Sequence, residues 1–459
     1  MNTYVVVGAG FSGTVAAIEF LNRVQHEAQL LIINRSGLIA RGLAYGTNSP
    51  LHLLNVPAGN MTALADEPDS FLKYCIERNM EVTAGSFVSR KVYGDYLEHL
   101  LNRAIERSSP RVKTTQISAE VVSLTPNGQG ATIELDSGEI FKADQVTLAF
   151  GHFPPSNPSG LGSVSETHYY QQDPWEQRAD SKIQKDEPIL LIGGGLTAID
   201  VISNLMKSKH TGKVYMLSRR GLLPKSHRVA RGQHTDHTHT RNRLLESKPS
   251  ILGYLKIIRN AIKTGLNEQI DWRDIIASIR PVTAELWRRL PDTERRRFLR
   301  HLQSYWDVHR HRVAPDTFQI FEDALNRGQL IPLAGRIVSM DVVNGSVTAV
   351  IKERRKASNR LLTVNLVVNC TGPTSNPEKT KSPLIKKLLK KGLVVSDTLG
   401  LGVCVNEHYY LKNTHGEPND WLSYVGPMLK ADHWELTAVP ELRVAARSVA
   451  LNVCQKFER

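Results

Sequence analysis

The sequence predicts an α/β fold of two Rossmann-like, dinucleotide-binding units with β-meanders, plus a helical insertion. Three observations carry this reading. The apolar run Tyr4-Val5-Val6-Val7 feeds the turn Gly8-Ala9-Gly10-Phe11-Ser12-Gly13, and Thr14 to Leu21 continues at helical spacing. A second unit of the same kind starts 185 positions later, with Pro188 to Ile192, then Gly193-Gly194-Gly195-Leu196-Thr197-Ala198, then Ile199 to Leu205. Each unit is followed by period-two stretches that close on an apolar strand ending at glycine, at Gly151 and at Gly372. Strand, glycine turn and helix in that order form the phosphate-binding start of a dinucleotide fold.

In the first turn, Gly8 permits the tight bend, Gly10 lets backbone N–H groups approach a pyrophosphate, and Gly13 lets the helix pack closely on the strand. The phosphates then sit at the positive end of the helix dipole. Residues 29–33 read as the second strand. An acidic residue is expected after it to hold a ribose hydroxyl; the sequence has Asn34-Arg35 instead. Residues 42–61 show neither helical nor strand period and mix Gly, Asn and Pro with apolar side chains. A buried irregular segment of this kind needs partners for its backbone, and a ligand ring is one such partner.

Residues 67–79 and 91–107 read as helices, and 116–149 as a β-meander with turns at 126–130 and 136–138. In the second unit the strand 213–217 ends in Ser218-Arg219-Arg220. A carboxylate there would repel the 2′-phosphate of NADPH, whereas a guanidinium pairs with it, so NADPH is expected over NADH. Two glycine units in one chain imply two nucleotides, FAD in the first and a pyridine nucleotide in the second.

Residues 221–330 interrupt the second unit with helices expected at about 251–265, 271–279, 282–289, 292–305 and 315–327. Trp306 to Arg312 is read as lying between two of these, either capping and packing the insertion or lining the cleft. His227, His234, His237 and His239 fit no standard zinc spacing, and no metal is expected. The last segment brings a strand to Gly426 and a helix whose N-terminus can face the flavin pyrimidine ring. The expected division is 1–160 for the first part of the FAD domain, 161–372 for the NADPH domain with its insertion, and 373–459 for the rest of the FAD domain.

A chain of 459 residues exceeds one ordinary core. Its hydrophobic fraction of 41% and charged fraction of 22% are those of a globular protein. No run approaches the roughly 18 apolar residues of a membrane span, and the N-terminal strand enters the glycine turn with no basic leader, so a cytoplasmic protein without a membrane partner is expected. The cysteines, Cys75, Cys370, Cys404 and Cys454, form no close pair. This argues against a disulfide framework and against a redox-active dithiol. The net charge of +13 concentrates in 219–312 and 352–391 without a recognised nucleic-acid module. An anionic cofactor and an acidic substrate would account for part of it and a solvated basic face for the rest, without a nucleic-acid partner.

The chain resembles bacterial FAD/NAD(P)-binding proteins related to flavin-dependent N-hydroxylating monooxygenases. The resemblance runs nearly end to end. It rests on Gly8-Ala-Gly-Phe-Ser-Gly-Thr, Gly42-Leu-Ala-Tyr-Gly-Thr, His52-Leu-Leu-Asn-Val-Pro, Asp173-Pro-Trp, Ser218-Arg-Arg-Gly-Leu-Leu-Pro, Trp306-Asp-Val-His-Arg-His-Arg, Asn369-Cys-Thr-Gly-Pro and Trp434-Glu-Leu-Thr-Ala-Val-Pro-Glu. It implies FAD held by Gly8, Gly10 and Gly13, and NADPH held by Gly193, Gly195, Ala198, Arg219 and Arg220. Asn34 departs from the usual Glu, and Phe150 from the usual Thr.

Further cofactor contacts are expected from Phe11, Ser12, Asn34, Arg35, Gly151, Leu196, Thr197, Ser218, Gly372, Gly426 and Thr437. His52, Asn55, Met61 and Trp434, together with His152, are the candidates around the reacting ring. The expected activity is N-oxygenation of a small amine or amino acid, in some similar proteins aspartate, through a hydroperoxide at flavin C4a formed from O₂. An FAD/NAD(P)H oxidoreductase with another electron acceptor and a non-catalytic nucleotide sensor remain open alternatives, as does homo-oligomerisation.

Overall fold

The computed structural model describes residues 1–108, 110–176, 184–228 and 237–458. Two large sheets dominate it. The first has six strands in the order Tyr410–Lys412, Pro418–Tyr424, Gln145–Leu148, Asn2–Val7, Ala28–Ile33, Val112–Ile117. All of its pairings are parallel except that of the edge strand Tyr410–Lys412. Val5 stands between Leu31 on one side and Val146 on the other. The inner parts of these strands are buried along their whole length, as a parallel sheet covered on both faces requires.

The second sheet has seven strands in the order Asn359–Val364, Ser346–Glu353, Leu330–Val343, Val214–Ser218, Ile189–Ile192, Leu366–Asn369, Tyr170–Gln171. Its core is parallel, and Leu330–Val343 continues beyond it into an antiparallel meander. The stretch 116–149 is not one meander. Val121–Asn127, Gly130–Leu135 and Ile140–Ala143 form a separate three-stranded sheet, while the strands before and after it join the first parallel sheet.

Two glycines fix the geometry of the sheet ends. Gly8 has φ +101°, and a β-carbon there would meet Phe150 N at 2.8 Å and Ala149 C at 2.9 Å. Gly193 has φ +121°, and its β-carbon would meet Cys370 O at 2.2 Å and Thr371 N at 2.9 Å. The same close approach thus occurs once in each unit. Gly13 completes the first turn, because a side chain there would fall 1.9 Å from Gly8 O. Its counterpart Ala198 keeps its methyl group fully buried.

The helix Phe11–Arg23 packs on the final helix Val439–Phe457, with the Phe20 and Phe457 rings edge to face at 5.8 Å. The insertion contributes helices Thr238–Glu246, Ile251–Asn267, Trp272–Ser278, Thr283–Arg289, Asp292–His301, Gln303–Arg310 and Pro315–Asn326. The helix expected over 292–305 therefore breaks at Leu302. The segment Trp306 to Arg310, read as a connection, is helical. The helix expected from residue 67 starts at Ser70, because Asp69 takes a left-handed conformation at φ +63°. No helix among the described residues is long and apolar enough to cross a membrane.

Gly193→Ala should lower the unfolding free energy by more than about 2 kcal/mol in chemical denaturation, since strand end and turn must both shift. Gly195, with nothing within 4 Å of its would-be β-carbon and an ordinary extended backbone, provides the contrast. Gly195→Ala should stay within about 1 kcal/mol of the parent.

Candidate active site

Both glycine turns open at the carboxyl ends of their sheets, where ligands bind in open α/β folds. The two strand ends come together: beyond Gly151 and Gly372 the following segments pair at Phe153 and Thr374, whose N–H donates to Phe153 O at 3.2 Å. A β-carbon on Gly151, Gly195 or Gly372 would meet nothing within 4 Å. Gly10 meets only the Gly42 α-carbon, at 3.6 Å. These positions line open space of the kind a nucleotide fills. Phe11 and Ser12, at the start of their helix, are buried, and Leu196 and Thr197 are half-buried.

Several predicted contacts are already engaged. The Asn34 carbonyl accepts from the Ala9 N–H at 3.3 Å, and its amide donates to Ser36 Oγ and Leu38 O, both at 2.9 Å. Asn34 therefore pins the glycine turn to the loop after the second strand, a role an acidic side chain, with no donor, could not fill. Arg35 is exposed. In the second unit, Ser218 Oγ accepts from the Gly221 N–H at 3.0 Å. The two arginines separate. Arg220 donates to Arg300 O at 2.8 Å and lies 5.2 Å over the Tyr305 ring, so it props the insertion. Arg219 is exposed and forms no hydrogen bond or ion pair among the described residues.

His52, 3% exposed, sits at the seam between the units. The Asn204 amide donates to its Nε2 at 2.9 Å, while Asn204 Oδ1 accepts from Ser49 Oγ at 3.0 Å and so fixes the amide orientation. His52 Nδ1 is then the donor to Thr47 Oγ1, at 2.6 Å. Burial lowers its pKa against the pull of Asp200. Its ring meets Trp175 edge on at 5.3 Å. Nearby, Arg90 grips the buried Asp200 carboxylate at 2.9 and 3.3 Å and also donates to Leu53 O at 3.0 Å. Asn55 contributes its carbonyl, which accepts from His227 Nε2 at 3.0 Å. Burial pushes His227 down to about 4, with the Arg312 charge adding to the effect, so the imidazole is neutral. Met61 lies in the core of the first unit, 2% exposed.

Trp434 packs with Trp287 at 4.6 Å and Phe298 at 5.1 Å, inside the core of the insertion. Its segment is where the insertion docks on the first unit. Trp287 Nε1 donates to Ala431 O at 2.9 Å, and Arg280 forms a two-pronged pair with Glu441 near the start of the last helix. Glu435, at φ +75°, is buried and receives the Trp306 indole N–H at 2.7 Å, with Arg310 at 3.2 Å and His311 at 3.5 Å. Desolvation pushes its carboxyl up, but His311, Arg310 and Trp306 together hold it down at about 2. A cavity of about 270 Å³ opens beside it, lined by Arg280, His433, Trp434, Glu435, Leu436 and Glu441. Thr437 is half-buried, its N–H bonded to Glu435 O.

The sequence pattern did not single out Lys430, Asp307 or Glu435 as a set. Lys430 lies 4.2 Å over the Trp434 ring. Burial lowers its pKa and raises that of Asp307, each against the other's charge. His152 presents an open face, yet desolvation and then the Lys430 charge take it down to about 4. Only their long-range pairing marks these residues, and neither composition nor period carries that signal.

His234 lies outside the described residues. His237 is buried and His239 is on the helix Thr238–Glu246. No group of three His, Cys, Asp or Glu able to hold a metal comes together among the described residues. The four thiols are free, and burial raises the pKa of each.

Glu435→Gln leaves Arg310 buried without its counter-charge. Removing one partner of a buried pair costs about 3–5 kcal/mol, so thermal unfolding should show a clear loss of stability, and proteolysis should cut first in the insertion.

Residues 5–153 match the family model described as FAD-NAD(P)-binding. No curated protein matches the chain in sequence. Among solved structures, the ornithine N-hydroxylase of Kutzneria sp. 744, with reduced FAD, NADP⁺ and L-ornithine, aligns at a TM-score of 0.67 and 13% identity over 99% of each chain. The cadaverine monooxygenase of Erwinia amylovora, bound to FAD, aligns at 0.64 and 12% identity over 98% of this chain and 94% of that one. Thioredoxin reductase of T. acidophilum aligns at 0.52 and 11% identity over 100% of each. At such identities the likeness is one of fold. Residues 5–153 thus match the FAD-NAD(P)-binding family model, within a chain whose fold is similar along its whole length to that of these solved structures.

Proposed function

We propose that the protein is an FAD- and NADPH-dependent monooxygenase that N-oxygenates the amino group of a small amine or amino acid, an acidic one included. The observation that supports it is the pair of glycine turns opening on one crevice, each with clear space where a nucleotide backbone would run. The neighbours in fold include an ornithine N-hydroxylase, an L-lysine 6-monooxygenase and a cadaverine monooxygenase, beside thioredoxin reductases.

On this reading, N–H groups of Gly10, Phe11 and Ser12 at the start of their helix hold the FAD pyrophosphate, with Gly151, Gly426 and Thr437 along the rest of the cofactor. Those of Gly195 to Thr197 hold the NADPH pyrophosphate, with Gly372 facing it. Arg219 pairs with the 2′-phosphate, while Arg220 keeps the insertion in place. The bound flavin, reduced by NADPH, supplies the redox chemistry with O₂. The protein positions and desolvates. His52 and Asn55 keep the two units in register through the contacts already described, and Met61 and Trp434 act by packing. Surroundings that desolvate Lys430 would disfavour a substrate ammonium beside it as well, and so favour the free amine that attacks oxygen.

Purified protein should be yellow, and NADPH should bleach it anaerobically. With ¹⁸O₂ and an accepted amine, label should enter the product. Fast NADPH oxidation with no label in any product sinks the oxygenase reading, and a bound flavin that NADPH cannot reduce sinks both. Arg219→Ala should raise KM for NADPH at least tenfold and leave KM for NADH nearly unchanged. Arg220→Ala should change that ratio far less.

A further inference from the structure

Nearly half of the chain's net charge of +13 stands on one short stretch. Residues 379–396 hold Lys379, Lys381, Lys386, Lys387, Lys390 and Lys391, and no acidic residue, arginine, histidine or aromatic ring. All of these lysines are exposed, and none forms an ion pair among the described residues. Only Lys391 is tied down, its ammonium donating to Leu124 O at 3.0 Å and Thr125 Oγ1 at 2.8 Å. The helix Pro383–Lys390 presents the rest. Its apolar residues Leu384, Ile385 and Leu388 are buried in the core of the first unit, so the lysine side is the free side. Lys386 and Lys390 stand one turn apart, and Lys387 and Lys391 repeat that spacing at the helix end. Like charges so placed repel. The helix dipole offsets this for lysines in the last turn, but not for Lys379 and Lys381, which precede the helix. Other lysines of the chain do meet carboxylates, Lys356 with Glu353 and Lys456 with Asp420.

The chemistry of this face selects its partner. A protein interface is built on an apolar centre from which lysine is depleted, and here the apolar residues already belong to the core. Nucleic-acid sites add arginine forks for base edges and aromatic rings for stacking, and the stretch has neither. Lysine is a hydrated point charge without a planar fork, which suits a diffuse layer of negative charge. Clusters of about four to eight basic residues on a helix stand in this relation to acidic lipid headgroups. We propose that the lysine face of Pro383–Lys390, with Lys379 and Lys381, rests on a bilayer surface of acidic phospholipid, held by charge and without insertion. A chain with no membrane-crossing helix among the described residues can be held in this way. The inference goes beyond the oxygenase reading and does not depend on it.

Sedimentation of the purified full chain with vesicles tests it. Vesicles of phosphatidylcholine mixed with phosphatidylglycerol should carry the protein down at low ionic strength, and pure phosphatidylcholine should not. Raising NaCl to about 0.5 M should release it. Lys386→Gln, Lys387→Gln and Lys390→Gln together should weaken the partition at least thirtyfold, since each lysine at the surface is worth about fivefold. The same three changed to Arg should stay within about threefold of the parent. Lys248, Lys256 and Lys263, exposed in the insertion, lose the same charge when changed together to Gln, and that variant should also stay within about threefold. A parent that ignores acidic vesicles overturns the proposal. So does binding that survives the salt, binding equal on both vesicle types, or a helix variant that binds as well as the insertion variant. A DNA duplex bound more tightly than the vesicles at the same salt, through the same three lysines, assigns the face to nucleic acid and also overturns it. Flavin content and NADPH oxidation play no part in this readout, so loss of the oxygenase reading and loss of the lipid face are separate results.

Discussion

The crevice depends on a backbone approach too close for any β-carbon. Where Gly8 passes Ala149 and Phe150, and where Gly193 passes Cys370 and Thr371, the strand beginning each unit touches the end of a later strand main chain to main chain. Parallel strands are normally kept about 4.8 Å apart. At these two points the chain leaves the sheet in a left-handed conformation and passes under its neighbour. That brings the helix start and the later strand end to the same edge. Open space remains beside Gly151 and Gly372, and the N–H groups of the helix starts face it. Without the two close approaches, the turn would widen and the helix would lift from its strand.

Joining the two units is a separate task, done with charges. Arg90 from the first unit holds Asp200 on the first helix of the second, and His52 is held there by Asn204. The insertion is secured to the last segment of the first unit through Arg280 with Glu441, and Arg310 and Trp306 with Glu435. Ion pairs this buried are poor sources of net stability, because desolvation offsets their attraction. They are specific in geometry, however. A carboxylate that must meet an indole N–H and a guanidinium at once accepts few relative orientations of the parts that carry them. The left-handed backbone at Glu435 fits the same view, since strain at a non-glycine residue persists only where its surroundings fix it.

The nucleotide-binding frame was legible in the sequence because its signals are local. Strand, glycine turn and helix lie within about 20 consecutive residues, and the strand-to-glycine endings at 151 and 372 repeat that logic. The roles of single side chains were less legible. Asn34 stands where a ribose acceptor is expected, yet its amide is turned inward to the loop it stabilises. Arg219 and Arg220 are adjacent in sequence, and only a carbonyl at position 300 separates their roles. The docking of Trp434 arises from contacts with Trp287 and Phe298, more than a hundred positions away in sequence, where period and propensity carry no information.

The two walls of the crevice differ in kind, and this difference bears on how one site can serve two ligands. The wall from the first unit is aromatic. Phe11, Tyr45 and Tyr93 pack together behind the first turn, and Phe150, Phe153 and Tyr424 surround the strand end at Gly151. Burial keeps the tyrosine hydroxyls of this wall protonated. The other wall is ionic, with Asp307, Arg310 and Arg312 from the insertion and Lys430 and Glu435 from the last segment. An aromatic wall suits a flat conjugated ring and excludes water from it, while fixed ionic groups suit a small polar molecule and set its orientation. A ligand with an apolar ring and a ligand with charged ends would thus be sorted to opposite sides. The face where they meet is left to backbone glycines, the only residues that put nothing between them.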